Sequence, residues 1–92
     1  MKLLFCRECG DVRKLHVNRE LHACACGASA GRYVDGLNAE VTGPCLALGI
    51  DNNSLRLALT NHERSPRMDG LGHRIEAFII PETAPTLRRV QR

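Results

Sequence analysis

The sequence predicts a small, mainly β domain of the α+β kind, with largely antiparallel strands and one helix. Three observations predict it. Short apolar runs recur between Gly, Pro, Asn and Asp signals, the pattern of short strands and turns. One stretch, Leu55, Ala58, Leu59 and His62, repeats with helical spacing. Two close cysteine pairs, Cys6/Cys9 and Cys24/Cys26, are each followed directly by glycine, as sharp turns behind them require. Ninety-two residues allow one domain with a small core, and with only Phe5, Tyr33 and Phe78 as aromatics that core must be built from Leu, Ile, Val and Ala.

In chain order, Lys2-Leu3-Leu4-Phe5 reads as a strand entering the first cysteine pair. Residues 11–17 read as a second strand, Asn18-Arg19 as a turn, and residues 20–24 as the return, a hairpin with both cysteine pairs at one end. Ala28-Ser29-Ala30-Gly31 is a connection. Residues 32–42 form a further hairpin around Asp35-Gly36, Gly43-Pro44 interrupts, and Cys45-Leu46-Ala47-Leu48-Gly49-Ile50 suits a buried strand. Asp51-Asn52-Asn53-Ser54 offers capping side chains to a helix over residues 52–62, whose stripe faces the body while Arg56, Thr60 and Glu63 face water. Residues 64–73 are a polar loop and residues 74–80 a strand with two partly buried faces, ended by Pro81. Residues 1–82 make the single domain, and residues 83–92 a flexible tail.

The cysteines carry the chemistry. Tetrahedral zinc prefers thiolate or imidazole ligands, and two on one turn with two on another close the tetrahedron. Cys6 and Cys9 have C-x2-C spacing, and fourteen residues separate Cys9 from Cys24. Cys24 and Cys26 have the tighter C-x-C spacing, which works if that segment is extended and points both side chains to one face. His22 is the natural substitute ligand and His16 a weaker one. Two disulfides or a redox C-x-x-C would use the same residues, and iron also accepts four thiolates. Residues 3–27 resemble the zinc-ribbon family, small metal-held β modules with a zinc knuckle on each of two hairpins. The resemblance implies that Cys6, Cys9, Cys24 and Cys26 hold a structural Zn2+, and it implies partners among nucleic acids or the proteins of transcription and translation.

The remaining features bound the function. The net charge of +3 resides in Arg88, Arg89 and Arg92, so residues 1–82 are balanced. Arg7, Arg13, Lys14 and Arg19 lie near the cysteines but are interleaved with Glu8, Asp11 and Glu20. A nucleic-acid module would show a clearer basic face with aromatics for stacking, so the expected role is a protein–protein adaptor or regulator, with nucleic-acid binding as the alternative. Four thiolates leave zinc no open position for catalysis, and Ser29, Ser54 and Ser65 lie in no nucleophile elbow. An enzyme is therefore the minority reading. Cys45, His62 and His73 read as structural residues. Leu3-Leu4-Phe5 is too short for a signal-peptide core, and no run spans a membrane, so a reducing cytoplasm is expected.

Overall fold

Alternating apolar residues give a strand two distinguishable faces, and this alternation sets the architecture. The structure, a computed structural model, describes residues 1–67 and 70–91. Along them run β1 (Lys2–Cys6), β2 (Val12–Lys14), β3 (His22–Ala23), β4 (Ala30–Tyr33), β5 (Ala39–Thr42), β6 (Cys45–Ile50), α1 (Asn52–Arg64), β7 (Ala77–Ile80) and β8 (Leu87–Arg89). The strands form two four-stranded sheets, ordered β2-β1-β6-β7 and β3-β4-β5-β8. Neighbours are antiparallel, except that β8 runs parallel to β5. The mainly β class with one helix is as expected. No helix among the described residues is long and apolar enough to cross a membrane.

One core lies between the sheets. The first contributes Leu4, Cys6, Cys45, Ala47 and Ile80, and the second Ala39, Val41 and Leu87; Leu15 and Cys24 join them. The largest fully buried side chains are Leu4, Val41, Cys6 and Ser29, so few bulky groups fill this core. The opposite face of the first sheet is also largely apolar, with Lys14 beside Leu3 at its rim. The register places Val12 beside Phe5 and Leu46, and Leu3 beside Leu48 and Ile79. Leu3, Phe5, Leu46 and Leu48 are half-buried there, while Val12 and Ile79 are 50% and 62% exposed.

Several expectations are corrected. β2 and β3 do not pair with each other: β2 pairs with β1 and β3 with β4, so the turn at Asn18-Arg19 joins two hairpins in different sheets. The 32–42 hairpin forms as β4 and β5, but through a longer loop in which an Asp35 carboxylate oxygen accepts the Leu37 and Asn38 N–H groups. The helix runs two residues further than expected, capped by Asp51, whose side chain accepts from the Asn53 and Ser54 N–H groups. Its stripe is not buried against the body. Ala58 is buried, but Leu59 is 56% exposed, Leu57 on another face is 58% exposed, and His62 is exposed. The strand expected over 74–80 is confined to β7, because Glu76 N–H donates instead to the Ser54 hydroxyl. The tail is not loose through its length: β8 pairs with β5 and buries Leu87. Residues 68 and 69 of the expected polar loop, and Arg92 of the tail, lie outside the described residues.

Candidate metal centre

Each cysteine pair sits in the turn of its own hairpin. Cys6 ends β1; its carbonyl accepts the Gly10 N–H at 2.9 Å, and its N–H donates to Asp11 O at 3.0 Å as the chain turns into β2. Cys24 follows β3; its carbonyl accepts the Gly27 N–H at 3.1 Å, and its N–H donates to Ser29 O at 2.8 Å before β4 begins. Gly10 and Gly27 both take the left-handed backbone, with φ of 72° and 79°, which costs least without a Cβ. The second turn is one residue tighter than the first. That explains how C-x-C serves where C-x2-C does in the first pair: Ala25 and Cys26 lie in a turn, and not in the extended segment the spacing predicts.

The two turns bring the four thiols together. Sγ atoms of Cys6, Cys9, Cys24 and Cys26 all lie within 4.8 Å of one another. Cys26 Sγ is 3.8 Å from Cys6 Sγ and 3.6 Å from Cys24 Sγ. Bonds of ~2.3 Å at tetrahedral angles would space thiolates by about 3.8 Å, so the donor set fits one metal ion. All four are free thiols. Cys6 and Cys24 are buried and Cys9 and Cys26 exposed, which places the site at the edge of the core.

Supporting groups hold the turns in register. The fully buried Ser29 donates its hydroxyl to Cys6 Sγ at 3.3 Å, from one hairpin to the other. Asp11 links them in the opposite sense: its carboxylate accepts the Ala25 N–H at 2.9 Å and pairs with Arg13. The thiols compete for negative charge, since like charges side by side disfavour one another. Hydrogen bonds from Ser29 and then from the Cys9 N–H lower Cys6 to about 6. The Ala28 N–H pulls Cys26 down, but burial and the neighbouring Cys24, Cys9 and Cys6 thiols push it up to about 12. A cation at the centre would relieve that competition.

His22 and His16 stand outside the cluster. Their rings meet edge-on at 6.5 Å, and His22 Nε2 lies 2.5 Å from the Asn18 side-chain amide. Cys45 is opposite Cys6 in the ladder but also outside the cluster, its Sγ directed at Thr42 O. Burial pushes the Cys45 thiol up, against the pull of Arg89. Sequence reasoning missed Ser29 and Asp11. The available signal was a lone hydroxyl within the small-residue run 28–31, and a carboxylate directly after the first glycine. No family model, curated protein or solved structure matches the chain.

Proposed function

We propose that this is a zinc-ribbon-type protein in which a structural zinc joins two hairpins, and that it works as a protein–protein adaptor or regulator in the reducing cytoplasm. The metal reading is supported by the thiol spacing and by the placing of each pair in its own hairpin turn. Four thiolates saturate a tetrahedral ion, so its contribution is to folding. The adaptor reading rests on one observation: the outer face of the β2-β1-β6-β7 sheet carries an apolar band from Val12 to Ile79, with both ends exposed and Lys14 beside Leu3 as its charged neighbour. Sheets this apolar on both faces are ordinarily covered on both, and exposed apolar patches mark interaction sites.

Val12→Glu tests this reading, because Val12 is exposed and its change leaves the core intact. Elemental analysis should find one zinc per chain in wild type and variant. A photo-crosslinker at Leu3 should capture a host protein that the Val12→Glu form fails to capture. Iron in place of zinc would correct the metal, and equal capture by both forms would sink the proposed face. Nucleic-acid binding has a specific observation of its own: Arg13, Lys14, His16 and His22 line a cleft of about 240 Å³ with no carboxylate in its lining. That reading requires affinity for random DNA or RNA whose logarithm falls steeply with the logarithm of salt concentration.

A further inference from the structure

Two sheets present four edges, and three are guarded. β2 carries Arg13 and Lys14, β8 carries Arg88 and Arg89, and β3 has two residues. Charge and shortness are the ordinary protections of an edge. The fourth edge, β7, reads Ala77-Phe78-Ile79-Ile80, with no charge or proline, and exposes Phe78 by 54% and Ile79 by 62%.

The ladder shows which groups this edge offers. Asp51 N–H donates to Glu76 O, and Ile50 pairs with Ala77, so the Glu76 carbonyl points inward, while its N–H donates to the Ser54 hydroxyl. Antiparallel strands alternate in this respect. Phe78 and Ile80 therefore also bond inward, and Ala77 and Ile79 direct N–H and C=O outward, where no strand among the described residues receives them.

We propose that β7 is a self-pairing edge: a second copy of this chain joins it antiparallel across a twofold axis at Phe78, doubling the β2-β1-β6-β7 sheet. Outward groups must meet outward groups, which leaves three registers near the strand centre. Centring on Ile79 sets Ala77 against Pro81, which lies beyond the strand and has no N–H. Centring on Ala77 sets Ile79 against Ile75, which also lies beyond the strand. Centring on Phe78 lets Ala77 and Ile79 exchange both backbone bonds with their counterparts. It places the two Phe78 residues in the closer, non-hydrogen-bonded position. Aromatic cross-strand pairs are favourable ones. This pairing uses the sheet's edge and leaves Leu3, Leu46 and Leu48 open, so it stands apart from the adaptor reading.

Sedimentation velocity of the metal-loaded chain, from low micromolar to millimolar concentration, should show a monomer–dimer equilibrium. Ile79→Pro is the selective variant. It removes an N–H that bonds nothing among the described residues, so metal content and circular dichroism should persist while dimer affinity falls at least about tenfold. Phe78→Pro removes an inward bond to β6 and should damage the protomer itself. A monomer at millimolar concentration overturns the proposal. So does a dimer that Ile79→Pro does not weaken.

Discussion

At the scale of single residues, the four cysteines differ from every other candidate in what their loss should do. Cys9→Ser is expected to lose the metal, whereas Cys45→Ser and His22→Ala should retain it, because Cys45 and His22 lie outside the thiol cluster. Metal content after dialysis compares the three directly. Ser29→Ala should keep the fold but bind metal about 10–100-fold more weakly, the usual cost of removing a group that orients a ligand. Competition with a chromophoric chelator measures it. Gly43 is constrained more severely. Its φ is +92°, and a Cβ there would lie 2.1 Å from the Ala28 carbonyl oxygen and 2.8 Å from Ser29 Cα. Gly43→Ala should cost at least about 1–3 kcal/mol from backbone strain alone, and more as it displaces the turn that carries Cys26. Urea unfolding checks the first effect and metal retention the second.

At the scale of elements, the clearest prediction concerns β8. Truncation after Glu82 removes Leu87 from the core and Arg89 from its bonds to the Gly43 and Cys45 carbonyls. Losing a buried leucine costs about 2–5 kcal/mol, so truncation should lower the thermal midpoint markedly; an unchanged midpoint would mean the strand contributes nothing. This strand was not legible because three residues with two arginines resemble a solvated tail, and their partner β5 is remote in sequence. The first hairpins were misread for a related reason. Val12–Lys14 has no strong alternation, so nothing local decides whether it pairs backward with β1 or forward with β3. Each cysteine turn settles it by folding the chain back directly. The readable elements were those with local signals: β6 from its apolar run, α1 from Asp51 and its cap, and the thiol set from spacing and glycines. The helix stripe was read correctly as helix but wrongly as buried, since periodicity reports shape and not what lies opposite. Ser29 and Asp11 act across hairpins, and no spacing within one hairpin encodes that.

At the scale of the molecule, the thiol cluster connects hairpins belonging to different sheets: Cys6 and Cys9 lie between β1 and β2, and Cys24 and Cys26 between β3 and β4. Few large side chains fill the core between those sheets, and binding energy at a site the unfolded chain lacks becomes folding energy. Adding a strong chelator should therefore loosen the packing of one sheet on the other, with amide protection lost first at Leu4, Cys6 and Ala30 in hydrogen exchange. Protection unchanged by chelation would mean that the core alone holds the sheets. The chain position of the cysteines has a further consequence in time. All four lie within residues 6–26, whereas β1 must find β6, and β5 must find β8, across far longer separations. Closing a short loop costs less entropy than closing a long one, and distant pairings slow folding. An ion captured early would set two hairpins face to face before the later strands arrive, giving each sheet a finished edge on which to grow. Refolding begun with metal present should then be faster than refolding to which metal is added afterwards, and a newly made chain would acquire its ion while the second half was still being synthesised.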